Sequence, residues 1–279
     1  MKDRKEQLEN SKLSPQPLWI HLLEKVGAPA QEQLSTLQDV LGLFLRALRD
    51  LLKPASWRWN EILQSVAQIS FGSLPIIAVS TAFSGMIVTN EIAWHLDAAL
   101  HSTSMVPGVT GQFILRELGV AIPAMLLVSK VGAATTAEVS TMKITDQIDA
   151  LKLLGIDPFT YLVMPRFIAA ILVGPCLTLI AVCITLFFAM EIASFRFNLS
   201  TSEYINSLRH FVGMKDLYCA FVKGTVYSAM IPLISCAYGF RCKGGAEGVG
   251  TSTTRSVVAA TVGIILFDFI LTYLFSHIF

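Results

Sequence analysis

Charged residues interrupt several long apolar stretches of this sequence, and they are the first candidates for chemistry. Arg116 and Glu117 are adjacent in one stretch, Lys223 lies in a second and Asp268 in a third. A charge inside a membrane span costs at least about 2.5 kcal/mol on insertion scales, so it normally faces the bundle interior or water. Glu117 therefore either binds a polar part of a transported molecule or clamps two helices together, and both interpretations stay open.

Neighbouring residues of a helix diverge by about 100° around its axis. Arg116 and Glu117 are therefore predicted not to pair with each other, and each needs a partner elsewhere. Asp268 is expected to pair with a polar group of a neighbouring helix. The long side chains of Lys130 and Lys223 are expected to extend toward a membrane interface.

Known catalytic and metal-binding patterns do not occur in the sequence. The glycine-rich stretch GGAEGVGTSTT at 244–254 lacks the lysine of a phosphate-binding loop and is predicted to be a loop between two spans. H-E-x-x-H and G-x-S-x-G are absent, the five histidines are isolated from one another, and the five cysteines form no C-x-x-C pair. We expect no catalytic residue, no bound cofactor and no metal site, so any ATP would be hydrolysed by another chain.

The composition is that of a membrane protein. Of 279 residues, 53% are apolar and 15% charged, with a mean hydropathy of +0.61 and a net charge of +1, which excludes an overall basic nucleic-acid binder. A bilayer core needs about 20 apolar residues in a helix. Five stretches meet this requirement and predict an all-α membrane protein, with spans at about 63–90, 109–134, 167–190, 217–240 and 256–275.

The chain before the first span divides into two parts. Residues 1–34 are a polar tail without the apolar core of a signal peptide. Residues 35–53 carry apolar residues at helical spacing opposite a basic face, which predicts an amphipathic helix lying in the membrane interface. Fifteen lysines and arginines flank the spans on the side of the N-terminus, against three on the other side, so the N-terminus is expected to be cytoplasmic and the C-terminus outside.

The segment 131–166, on the predicted cytoplasmic side, is too patterned for a simple loop. Ile144, Ile148, Leu151 and Leu154 recur at helical spacing, and Gly155 can end the helix in the left-handed conformation. Such an amphipathic helix lies on the membrane, on a partner protein or across the end of its own bundle as a cap, and these alternatives stay open.

This segment resembles the signature region of the MlaE/YrbE permease family. The shared features are LRELG at 115–119, the AE-x-STMK-x-T-x-QIDAL segment, the G-x-DP turn and TTRSVVAATVGIILFDFILT at 253–272. The resemblance covers residues 35–279 and implies an interfacial helix plus five spans that act as a homodimer in the inner membrane of a diderm bacterium. It also implies an ABC ATPase subunit on the cytoplasmic loop, an MCE-domain protein on the outer face, and phospholipid or a related lipid as cargo.

The resemblance also assigns residues to these roles. Glu117 and Arg116 are expected beside the lipid cavity. The residues expected to couple to the ATPase are Glu138, Asp146, Gln147, Ile148, Asp149 and Leu151. A different function from the same charges is an ion-coupled secondary transporter, in which Glu117 and Asp268, with Arg116, would be the coupling groups.

Overall fold

The structure, a computed structural model, describes residues 35–36, 38–51, 58–100 and 105–278. The chain divides into two compact units, 1–42 and 43–279. Within the first unit, residues 35–36 and 38–42 are helical, and the tail predicted at 1–34 lies outside the described residues. Positions 52 and 53, the end of the predicted interfacial helix, also lie outside them, and the membrane location of that helix stays a prediction.

The second unit consists of helices, with no strand among its described residues. In chain order they are α1 (43–51), α2 (Trp59–Leu100), α3 (Val106–Ile144), α4 (Gln147–Leu153), α5 (Phe159–Phe197), α6 (Thr201–Phe211), α7 (Met214–Phe240) and α8 (Gly245–Ile278). Five of them, α2, α3, α5, α7 and α8, are long and apolar enough to cross a membrane. The prediction of an all-α membrane protein with five spans is confirmed.

The spanning helices are longer than the sequence predicted. α3 and α5 each have 39 residues, roughly 58 Å at 1.5 Å per residue, whereas a bilayer core is about 30 Å thick. The predicted loop at 244–254 was wrong, because α8 begins at Gly245 and residues 241–244 alone connect it to α7. Gly244 and Gly245 have left-handed φ values of 91° and 70° at this junction. The apolar stretches predicted the parts of the helices that can cross the membrane core. The helices continue into polar sequence at their ends, where hydropathy gives no indication of a helix.

α3 and α5 each contain a π turn or begin with one. Residues Ile114–Leu118 and Val128–Gly132 are π turns within α3, and Phe159–Val163 opens α5. A π turn inserts one extra residue per turn and is frequent at functional sites, because it changes which face of the helix the following side chains occupy. The first turn carries Arg116 and Glu117, and the second carries Lys130.

Two apolar clusters close the bundle at its opposite ends. At the end that carries α4, the cluster joins six helices, α1 to α5 and α7, through residues such as Ala47, Ile62, Val139, Ile148 and Leu233. At the other end, Tyr204 of α6 packs against apolar residues of α3 and α5. Burial raises the pKa of the Tyr204 hydroxyl to about 12, consistent with a phenol held against apolar side chains.

Helix α6 begins with a reciprocal cap. The Ser200 hydroxyl accepts a hydrogen bond from the backbone N–H of Glu203, and the Glu203 carboxylate accepts one of 2.9 Å from the backbone N–H of Ser200. This bond from the Ser200 backbone lowers the pKa of Glu203 below its ordinary value. The cap therefore contributes above the unfolded-state pKa and is lost as the pH falls through the folded-state pKa.

The connection between α3 and α5 differs from the predicted single amphipathic helix. Ile144 ends α3, and Asp146 follows with a left-handed φ of 57°, so Ile144 does not share a helix with Ile148. Leu154 was expected on the packed face but is 75% exposed. The left-handed stop at Gly155 is confirmed, with φ of 74° and a closing hydrogen bond of 2.9 Å from the N–H of Ile156 to the carbonyl of Leu151.

Small residues let the spanning helices approach closely. A Cβ added at Gly85 of α2 would overlap the backbone carbonyl oxygen of Thr185 in α5, which cannot rotate away. Gly224 of α7 lies in the same way against Thr178 of α5. Such contacts are typical of membrane helices, which associate through close packing because the lipid supplies no hydrophobic drive.

We therefore expect Gly85→Ala to destabilise the bundle by about 1–3 kcal/mol, the usual cost of forced overpacking. Gly250→Ala in α8 is the matched control, since nothing lies within 4 Å of the added methyl group. The measurement is the thermal unfolding midpoint of the detergent-purified protein. Equal midpoints for Gly85→Ala and the control would contradict the close α2–α5 contact.

Candidate functional site

The site is built around a lysine that is fully buried in the bundle. The Lys223 side chain of α7 has 0% of its surface exposed. Its ammonium donates to the Asp268 carboxylate at 2.7 Å, the Glu117 carboxylate at 3.2 Å and the Thr272 hydroxyl at 2.7 Å. A fourth contact of 2.6 Å reaches the backbone carbonyl of Arg116. The expectation that Lys223 extends to an interface was wrong.

Two hydroxyl groups complete this arrangement. Tyr227, one turn along α7 from Lys223, donates to the Asp268 carboxylate at 2.6 Å. Thr272, one turn along α8 from Asp268, donates to the Glu117 carboxylate at 2.9 Å. We call these five residues, Glu117, Lys223, Tyr227, Asp268 and Thr272, the ammonium cluster. Its hydrogen bonds join α3, α7 and α8.

The π turn at Ile114–Leu118 explains how α3 enters the cluster. It turns the Glu117 carboxylate toward α7 and α8, and it leaves the carbonyl of Arg116 within reach of the Lys223 ammonium. One ammonium thus compensates two carboxylates and one backbone oxygen.

Arg116 has a different partner from Glu117, as the angular argument predicted. Its Nε donates to the Asp216 carboxylate at 2.6 Å, and Asp216 is almost fully buried at the start of α7. The second oxygen of Asp216 accepts a hydrogen bond of 2.9 Å from the backbone N–H of Gly213. Half of the Arg116 side chain stays exposed, so its guanidinium can contact a further group.

The charges of the ammonium cluster do not cancel. Glu117 and Asp268 face one lysine, and their side chains keep 28% and 21% of their surfaces exposed. Both hydroxyls of the cluster donate to carboxylates that also bind Lys223, an arrangement that suits binding and helix joining. The sequence identified Glu117 and Asp268 as candidates but not Lys223 as their common partner. A usable pattern was present, because Lys223 and Tyr227 are four residues apart and so are Asp268 and Thr272. This spacing puts each polar pair on one face of its helix.

The residues expected to couple to an ATPase lie at the end of the bundle that carries α4. Glu138 is within α3 and accepts a hydrogen bond of 2.7 Å from Arg166 of α5. Asp149 of α4 pairs with Lys152 at 2.9 Å and Lys143 at 3.1 Å, which lowers its pKa. Asp146 and Gln147 are exposed at the start of α4.

The apolar side chains of α4 divide between the core and the surface. Ile148 is 3% exposed and belongs to the apolar cluster at this end of the bundle, and Leu151 is half-buried. Leu153 and Leu154 are 90% and 75% exposed. The inner face of α4 thus holds the helix to its own chain, and its outer end presents two leucines.

We predict that Lys223→Met destabilises the chain by about 3–5 kcal/mol, since it leaves two partly buried carboxylates without a cation. Lys243→Met, at an exposed lysine between α7 and α8, is the matched control. The measurement is the folded, monodisperse yield and the thermal midpoint after detergent extraction. A Lys223→Met protein as stable as the control would show that the buried ammonium compensates nothing.

Comparisons with known proteins place the chain among membrane permeases. The sequence profile described as Permease MlaE matches residues 62–274. A probable ABC transporter permease protein of Rickettsia typhi is 33% identical over 228 residues, which cover 82% of this chain and 87% of that protein. A protein with the same description from Synechocystis is 32% identical over 215 residues, covering 77% of this chain and 81% of the relative.

A chloroplast protein shows a similar level of identity. The protein TRIGALACTOSYLDIACYLGLYCEROL 1 of Arabidopsis thaliana is 32% identical over 217 residues, covering 78% of this chain and 62% of that protein. The profile match includes all of the ammonium cluster and the whole of α4. By the extent of these matches, the chain belongs to the MlaE permease family.

Proposed function

We propose that the chain is the membrane subunit of an ABC transporter that moves phospholipid or a related lipid. The match to Permease MlaE over residues 62–274, with relatives described as ABC transporter permeases, carries this proposal. The name of the Arabidopsis relative contains a glycolipid, which agrees with a lipid cargo. The chain itself supplies no catalytic residue, and a separate ATPase subunit hydrolyses the ATP.

The ammonium cluster supports a cargo with both polar and apolar parts. Its two carboxylates and the exposed half of Arg116 lie among apolar helices, about 16 Å along α3 from Val106. A lipid bound here would need polar partners for its headgroup within the bundle and apolar side chains around its acyl chains. Glu117 and Arg116 then contact the headgroup, and Lys223 fixes the position of Glu117.

The exposed apolar surfaces of the chain support two further partners, a second copy of the chain and surrounding lipid. α2 and α8 direct many large apolar side chains outward, including Phe71, Ile87 and Phe269. A second copy of the chain and surrounding lipid cover these faces in our proposal, so that the cavity lies between two copies. An MCE-domain protein meets the outer face. The excess of basic residues supports an orientation with the N-terminus and α4 in the cytoplasm and the C-terminus outside, which in our proposal is the periplasm of a diderm bacterium.

The function is tested by reconstituting the chain with its ATPase and measuring ATP-dependent movement of a fluorescent phospholipid. Glu117→Ala should reduce the rate roughly tenfold, the effect of losing one hydrogen bond to a charged group, while the complex still assembles. Glu191→Ala, which removes an exposed acid of α5, should leave the rate unchanged.

Three outcomes separate the possible functions. No ATP-dependent lipid movement by the intact complex would contradict the proposal. Movement driven by an ion gradient without the ATPase would favour the secondary transporter, in which Glu117 and Asp268 are the coupling groups. Normal lipid movement by Glu117→Ala would remove Glu117 from the cargo site.

The ATPase is expected to bind the outer end of α4. Replacing both Leu153 and Leu154 by Asp should release the ATPase during detergent purification, because these exposed leucines are the apolar groups available to a partner. Asp146→Lys should weaken the contact in a salt-dependent way. Met214→Asp, at an exposed apolar residue of the opposite end, should retain the ATPase.

Ile148→Asp distinguishes a structural role from direct contact. Since Ile148 packs inside its own chain, this variant should lower the accumulation of the folded permease as well as ATPase retention. Full retention of the ATPase by the Leu153→Asp, Leu154→Asp protein would show that α4 is not the coupling element.

A further inference from the structure

A second polar region of the bundle is an open cleft between α2, α3, α5 and α7. Its apolar wall includes Leu127 and Ile231, and its polar lining is Ser65, Gln68, Lys130, Thr135, Arg166 and Ser228. On α3, Lys130 follows Glu117 by 13 residues, about 20 Å along the helix. On α7, Ser228 of the cleft directly follows Tyr227 of the ammonium cluster, so the two regions are neighbours, but the cations of the cleft, Lys130 and Arg166, are not part of the cluster.

Lys130 is an uncompensated cation in this cleft. It lies in the π turn Val128–Gly132 and forms no hydrogen bond or ion pair with any residue that the structure describes. Its ammonium lies 3.8 Å from the position that a Cβ of Gly72 would take, so it extends from α3 to the surface of α2. No acidic residue lines the cleft. A cation in this setting attracts an anion, because the surrounding apolar wall screens charge poorly.

Arg166 offers a second donor. One nitrogen, Nη2, pairs with Glu138 at 2.7 Å, and the side chain is only 16% exposed. The other nitrogen, Nη1, is buried and has no hydrogen-bond partner among the described residues. A buried N–H group without a partner is rare in folded proteins, and it marks a place where a further acceptor fits. Ser65 and Gln68 add neutral hydrogen-bonding groups at the same wall.

The cleft spans a range of depths from the end of the bundle that carries α4. Ser65 and Arg166 lie six and seven residues after the starts of α2 and α5, about 10 Å from this end, and Lys130 lies 14 residues before the end of α3, about 21 Å from it. Arginine and lysine are the side chains that bind phosphate oxygens most strongly. The apolar wall, which continues toward the membrane core, fits acyl chains below such a headgroup.

We infer that this cleft binds the phosphate of an anionic phospholipid from the leaflet at the α4 end, with Lys130 and Arg166 as its cationic partners. This lipid is separate from the cargo at the ammonium cluster. Its binding requires neither ATP nor the ATPase, so the inference holds or fails independently of the proposed transport.

The test is native mass spectrometry of the full chain, purified in a neutral detergent and titrated with dioleoyl phosphatidylglycerol. The wild type and Lys243→Gln, an exposed control lysine, should retain the first lipid with the same affinity. Lys130→Gln should bind it about tenfold more weakly, since one charge-assisted hydrogen bond is lost. Lys130→Arg keeps the positive charge and should bind the lipid as the wild type does. That result would show that the position tolerates substitution.

Two further ligands identify what the cleft recognises. Dioleoylglycerol has the same acyl chains without phosphate and should not be retained at the same concentrations. Inorganic phosphate should not protect the chain from thermal unfolding at the concentrations at which the lipid does. Equal lipid affinity in Lys130→Gln and Lys243→Gln, equal retention of dioleoylglycerol, or equal protection by inorganic phosphate would each overturn the inference.

Discussion

The fold depends on one buried ammonium group. Lys223 has no access to solvent, and the four oxygen atoms around its ammonium come from α3 and α8. Without them, the chain would carry an unpaired charge in its interior, and without Lys223 two carboxylates would lose their cation. α3, α7 and α8 can therefore move as a unit or break a set of strong interactions, but they cannot slide past one another gradually.

This constraint links the proposed cargo site to the end of the bundle that carries α4. α3 contains Glu117 in the ammonium cluster, Lys130 in the cleft and Val139 in the apolar cluster that holds Ile148 of α4. A displacement of α4 therefore acts on the same helix that positions Glu117. In the proposed transporter, such a continuous helix is the simplest mechanical connection between the expected ATPase surface and the proposed lipid site.

The sequence was sufficient for the five spans and for the divergence of Arg116 and Glu117, because both depend on helical geometry and hydropathy alone. It failed where tertiary contacts decide. Lys223 was expected at an interface since long side chains often extend there, yet Asp268 and Glu117 from other helices hold it inside. Ile148 was expected to meet a partner, but the left-handed turn at Asp146 folds α4 back so that this side chain packs within its own chain. The π turns, which aim Glu117 and Lys130, leave no periodicity that could have been read in advance.

The most direct test of this central role is a double-mutant cycle on Lys223 and Asp268. The free energy of unfolding in mixed micelles is measured for the wild type, Lys223→Met, Asp268→Asn and the combined variant. Residues in one buried network show interaction energies of about 0.5–3 kcal/mol, and we predict a value in the upper half of that range, with the combined variant more stable than the sum of the single losses implies. Losses that add within about 0.5 kcal/mol would mean that the two residues act independently and that the ammonium cluster does not hold the three helices together.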